Sequence, residues 1–177
     1  MHNRKLLLLR HGKSDWATAG QRDWDRPLTA RGERAAKVIG GFLKRIECVP
    51  DRIVASGAVR AKETARGVAR SAGFKEYSIV TTDRLYEASP RDLLDVIQQT
   101  DESVRTLLLV GHEPGWSATA SALVGGGSLR FPTCALACIE LPLPSWENTR
   151  MSSGQLLWFV IPRMLEHLGP DAVYFQE

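Results

Sequence analysis

The chain has 177 residues, 44% of them hydrophobic and 24% charged, with a net charge of +3. That is the make-up of one ordinary domain, here taken as residues 1–177, with enough chain to bury a core without metal or disulfide support. There is no basic block, no basic–aromatic alternation and no apolar run of membrane-spanning length, and the cysteines number three; nucleic acid, a membrane and a disulfide framework are therefore not expected.

Residues 4–9 read as a strand apolar on both faces, as a central strand should be. The strand begins too early in the chain to leave room for a signal peptide, so a cytoplasmic location is expected. Residues 13–27 are polar and rich in Asp and Trp, and read as a loop. Thr29 is a good N-cap for a helix over residues 29–47, where Ala35, Val38, Ile39, Phe42, Leu43 and Ile46 recur at helical spacing. Residues 52–55 form a second strand. Ser56-Gly57 turns it into a helix carrying Ala61, Ala65, Val68, Ala69 and Ala72 on one face, and Gly73 stops that helix.

A weaker strand follows at residues 77–82, and Pro90 opens a helix bearing Leu93, Leu94 and Ile97. Residues 106–110 form another two-faced apolar strand, and Pro114 starts a helix that Gly125-Gly126-Gly127 ends. Strands at 134–141 and 155–161 flank a Pro-rich link, and a short C-terminal helix closes the chain. Strands alternating with helices predict an α/β three-layer sandwich, mostly parallel, with an antiparallel edge late in the chain.

Chemistry collects at strand ends, where α/β sheets bind ligands. The first strand runs into Arg10-His11-Gly12, and the later apolar strand into Gly111-His112. Two histidines so placed face one crevice if both strands are parallel; His2 and His167 lack this setting and read as exposed. Arg60, in the first turn of a helix, is either an anion ligand or a solvated cation. Glu87 is either a catalytic acid or a capping carboxylate. Trp16, Trp24 and Trp116 either wall the site or pack in the core. Cys134 and Cys138, four apart on one strand, would stand roughly 13 Å apart, too far to share a metal or a disulfide. Gly12-Lys13-Ser14 lacks the earlier glycine of a P-loop, and His112-Glu113 lacks the second histidine of a zinc-protease helix.

Arg10-His11-Gly12, Arg60-Ala61-x-x-Thr64-Ala65 and Gly111-His112, in this order, resemble the histidine phosphatase superfamily. Leu9 to Ser14, Asp25-Arg26-Pro27-Leu28-Thr29-x-x-Gly32 and Leu85-Tyr86-Glu87-Ala88-Ser89 are similar to its SixA-type phosphohistidine phosphatase branch. The resemblance implies a phosphoglycerate mutase-like fold and no cofactor or metal. It further implies His11 as nucleophile, Arg10, Arg60 and His112 as the phosphate pocket with it, and Glu87 as proton donor. Where the family often has two serines and a proline before the helix arginine, this chain has Ala55-Ser56-Gly57. The expected substrate is phosphohistidine on a protein. The alternatives are small phosphate esters as substrates, or a non-catalytic phosphate-binding protein.

Overall fold

The computed structural model describes residues 3–16 and 19–166. The order of elements is β1 (Arg4–Arg10), α1 (Ala30–Arg45), β2 (Arg52–Ser56), α2 (Val59–Ala72), β3 (Val80–Thr82), α3 (Pro90–Gln98), β4 (Thr106–Gly111), α4 (Gly115–Leu123), β5 (Leu136–Leu141), β6 (Gln155–Val160) and α5 (Pro162–Glu166). The strands make one sheet in the order β3-β2-β4-β1-β5-β6. The first four in that order are mutually parallel; β5 runs antiparallel to both β1 and β6.

Alternation along the strands builds the layers, because successive side chains leave a strand on opposite faces. Leu6, Leu8, Leu107 and Leu109 pack with Leu93, Ile97, Trp116 and Ala120, under α3 and α4. Leu7, Leu9, Leu108 and Val110 pack with Ile39, Leu43, Ala65 and Val68, under α1 and α2. A glycine on α1 lets α2 lie close: a Cβ at Gly40 would sit 2.4 Å from the Val68 carbonyl oxygen. The three-layer sandwich is therefore present, with its antiparallel element at β5 and β6 on the edge.

Helix ends follow local chemistry. The Thr29 hydroxyl caps α1 by accepting from Gly32 N–H at 3.1 Å. Gly73 ends α2 in the left-handed region at φ 81°, and Ser89 and Asp92 form a reciprocal cap on α3. Three details differ from the sequence reading. The strand expected over residues 77–82 is a 3-10 turn (Glu76–Ser78) followed by only three strand residues, because its solvent-facing side chains give it little apolar surface to bury. Pro114 precedes the first turn of α4 rather than lying inside it. Cys134 turns at φ 61° before β5 begins, so the chain there is not yet a strand. His2, His167 and the rest of the C-terminal helix lie outside the described residues.

Candidate active site

The site sits at the C-terminal ends of three adjacent parallel strands, β1, β4 and β2. The parallel register pairs Arg10 with Gly111, so the next residue on each strand is a histidine beside a histidine. His11 N–H continues the ladder, donating to the Gly111 carbonyl at 2.9 Å. The two rings stand 5.0 Å apart at 53°. Gly111 is required here: a Cβ would lie 2.0 Å from the Trp116 ring that fills the core beneath it.

His11 is 7% exposed and held at both nitrogens. Its Nδ1 lies 2.7 Å from the Gly12 carbonyl oxygen, which can only accept, so Nδ1 carries the proton. Its Nε2 accepts from Arg60 Nε at 3.2 Å and therefore holds the lone pair. The turn that aims this ring is pinned by a close backbone crossing and one hydroxyl. A Cβ on Gly12 would meet the Gly32 carbonyl oxygen at 2.9 Å. Gly12 N–H donates to Thr64 Oγ1 at 2.9 Å, and the Thr64 hydroxyl donates to the Arg60 carbonyl at 2.6 Å. One threonine thus ties the loop after β1 to the first turns of α2.

Arg60 is buried, and each nitrogen of its guanidinium makes one hydrogen bond. Beyond Nε, its Nη1 donates to the Asp23 carbonyl at 2.5 Å and its Nη2 to Asp23 Oδ2 at 2.7 Å. The same Oδ2 accepts from Tyr86 OH at 2.8 Å, and Asp23 Oδ1 pairs with Arg26 at 2.9 Å. Burial raises the Asp23 pKa, but the hydrogen bonds from Tyr86 and Arg60 and the arginine charges outweigh it, so the carboxyl lies below its usual range. Arg10 donates through Nη1 to the Phe131 carbonyl at 2.6 Å, while its buried Nε has no partner.

His112 is equally buried. Its Nε2 meets Ser56 Oγ at 2.8 Å, and its Nδ1 is buried without a partner. Burial, then the Arg60, Arg10 and Arg26 charges, lower His11 to about 4, although its bond to Gly12 acts in the other direction. Burial, then His11 and the arginine charges, lower His112 to about 3 against the pull of Asp23. Both imidazoles are therefore neutral at physiological pH in a site ringed by guanidinium groups. That combination offers a nucleophile with a free lone pair and a positive frame for an anion.

Of the residues singled out in the sequence, His11, Arg60 and His112 touch one another through a hydrogen bond and a ring contact. Arg10 adds its charge to theirs. Glu87 does not join them. It is exposed, sits at φ 50° and among the described residues makes no side-chain hydrogen bond, although its charge reaches the neighbouring Tyr86. The tryptophans divide: Trp116 is core, Trp24 stacks edge-on with Tyr86 at 4.8 Å, and Trp16 is exposed beneath the Arg26 guanidinium. Sequence reading missed Asp23, Ser56, Thr64 and Tyr86 as site residues. Thr64 had a local signal, lying four residues after Arg60 on the same helix face. Asp23 had none, since its partners come from α2 and the segment after β3. Among the described residues no group of three or more His, Cys, Asp or Glu side chains is arranged to hold a metal, and no helix is long and apolar enough to cross a membrane.

A strand-end imidazole pair beside arginines, on a mostly parallel sheet, marks an α/β protein with an anion-binding site. The sequence profile of the histidine phosphatase superfamily (branch 1) matches residues 6–125, and the chain belongs to that superfamily. Its fold is the phosphoglycerate mutase-like α/β fold. The crystal structure of a candidate phosphohistidine phosphatase SixA from Agrobacterium tumefaciens superposes with a TM-score of 0.74 at 31% identity, covering 90% of this chain and 98% of that one. An uncharacterized chloroplastic protein of Arabidopsis thaliana is 32% identical over 98% of this chain and 81% of its own length. The mitochondrial serine/threonine-protein phosphatase Pgam5 of Drosophila erecta is 32% identical over 89% of this chain, which spans 58% of that longer protein.

Proposed function

We propose that the protein hydrolyses phosphohistidine on another protein, through a phosphohistidine intermediate at His11 and without a metal. The observation that carries this reading is the buried neutral His11, its proton held at Nδ1 by Gly12 and its Nε2 lone pair facing Arg60 at 3.2 Å. In the first step Nε2 attacks phosphorus, and the Arg60 Nε–H that it accepted transfers its hydrogen bond to a phosphoryl oxygen. The P–Nε2 bond forms as the bond to the leaving group breaks, and the leaving group departs with its electron pair and takes up a proton from solvent water. Arg10 and Arg60 hold the non-bridging oxygens through forked donors. If Ser56 donates to His112 Nε2, then His112 Nδ1–H is a buried donor in need of an acceptor, which a phosphoryl oxygen supplies. In the second step water attacks phosphorus, the P–Nε2 bond breaks, its electrons return to the imidazole, and inorganic phosphate leaves.

Support for the substrate comes from Glu87. An alkyl phosphate expels an alkoxide and needs a held acid, whereas phosphohistidine expels an imidazole, which leaves readily once protonated. An exposed carboxylate with no hydrogen bond suits the second case. The similarity to the SixA protein agrees with this reading. The similarity to a serine/threonine-protein phosphatase keeps a phosphoester substrate as the second reading. The test is to incubate the protein, with chelator present, with a phosphorylated histidine-containing transfer domain. Phosphate release and an acid-labile label on the enzyme are expected, both lost in His11→Ala. Turnover of aryl or alkyl phosphates with none of phosphohistidine would select the ester reading. Release without any label on His11 would refute the covalent route.

A further inference from the structure

Beside the site lies a groove of about 990 Å³ between the first half of α1 and the start of α5. Its charged lining is Lys13, Arg31, Arg34, Lys37 and Arg163, with Glu166 as the single carboxylate. All five cations are exposed, and among the described residues none has a carboxylate within ion-pair distance. Arg31 and Arg34 also stand in the first turns of a sixteen-residue helix, the end whose dipole disfavours cations, and at a spacing where like charges repel. Glu166 is the one carboxylate in the lining among the described residues, so the groove carries an excess of positive charge that suits an anionic counter-charge.

Two features narrow that counter-charge to an acidic peptide segment. The first is extent. Arg31 and Lys37 are six helix residues apart, about 9 Å along the axis, which a single phosphoryl group cannot span but three residues of extended chain can. The second is continuity with the nucleophile. Lys13 is two residues beyond His11. Pro132 and Thr133 line the groove between Phe131, whose carbonyl holds Arg10, and Cys134, whose N–H donates to the His11 carbonyl at 3.0 Å. The two loops that fix the nucleophile are thus also walls of the groove. We propose that this groove docks an acidic segment of the phosphorylated protein substrate next to the residue being dephosphorylated; the proposal rests on the protein-substrate reading above.

The test uses two synthetic phosphohistidine peptides, identical except that one carries four Glu beside the phosphohistidine and the other four Gln. With the full-length protein, kcat/KM for the Glu peptide is expected to exceed that for the Gln peptide roughly tenfold, residing in KM, as expected for several weak exposed ion pairs. That preference should shrink in about 0.5 M salt, where screening is short-ranged. The triple variant Arg31→Glu, Arg34→Glu, Lys37→Glu should abolish the preference while leaving p-nitrophenyl phosphate hydrolysis within about twofold, since exposed charges outside the pocket act mainly on docking. If that variant does not fold, the milder Arg34→Gln, Lys37→Gln protein should reduce the preference. Equal kinetics for the two peptides, or a Glu preference that survives in a folded variant, would overturn the proposal. So would tighter binding of a single-stranded oligonucleotide than of the Glu peptide. If neither peptide is hydrolysed although p-nitrophenyl phosphate is, the substrate reading fails by itself. Fluorescence anisotropy of the same labelled peptides then decides the groove: Glu-selective binding lost in the variant upholds it, and unselective binding refutes it.

Discussion

Replacing His11 with Gln should make the protein's stability less sensitive to acid. In the folded chain His11 titrates at about 4 and His112 at about 3, both below the ordinary histidine value of about 6.5. A histidine whose folded value is depressed binds fewer protons folded than unfolded between those two values. Its contribution to stability is intact above about 6.5 and is lost as pH falls toward the folded value. At pH 5 an unfolded histidine is about 97% protonated and one held at about 4 is about 9% protonated; the accumulated difference from pH 8 is about 2 kcal/mol. His112 loses a similar amount, so the pair together removes about 4 kcal/mol, a large share of a typical domain's stability. Carboxylates titrate alike in both proteins and cancel in the comparison. Urea unfolding followed by circular dichroism at pH 8, 6.5 and 5 should therefore show the His11→Gln protein losing about 2 kcal/mol less than the wild type over that range. Equal losses would refute the depressed His11 value, and with it the claim that a neutral nucleophile is built in by burial and adjacent arginines.

Thr64→Val leaves the buried Gly12 N–H without an acceptor and frees the loop that aims His11. A stability loss of about 1–3 kcal/mol and a fall in kcat are expected in denaturation and steady-state assays, with Thr64→Ser restoring both. Glu87→Gln should leave phosphohistidine hydrolysis unchanged, since the exposed carboxyl stands apart from His11, Arg60 and His112; a fall in kcat would show that it acts as a proton donor. Gly111→Ala forces a methyl into the Trp116 ring, and a melting temperature lowered by several degrees is expected from about 1–3 kcal/mol of overpacking.

Much of this protein was legible in one dimension because its signals are local. The apolar runs of β1 and β4, the Thr29 cap and the Gly73 stop each follow from a few neighbouring residues, and so does the placement of His11 and His112 at strand ends. The strand expected over residues 77–82 is shorter in the structure because a local run of residues does not show whether a sheet partner covers it. Only three of its residues gain a ladder on β2.

What the sequence determined by itself was the layered α/β fold and the placement of two histidines at strand ends. Burial patterns and residue chemistry are written in the order of the chain. The tertiary structure alone decided which groups meet and in what state. Register on β1 and β4 brings the two imidazoles to 5.0 Å. Asp23 reaches Arg60 across 37 residues of chain, and Tyr86 reaches the same Asp23 carboxylate from the segment beyond β3. Burial, a property of the packed molecule and of no single residue, keeps both histidines neutral beside their arginines.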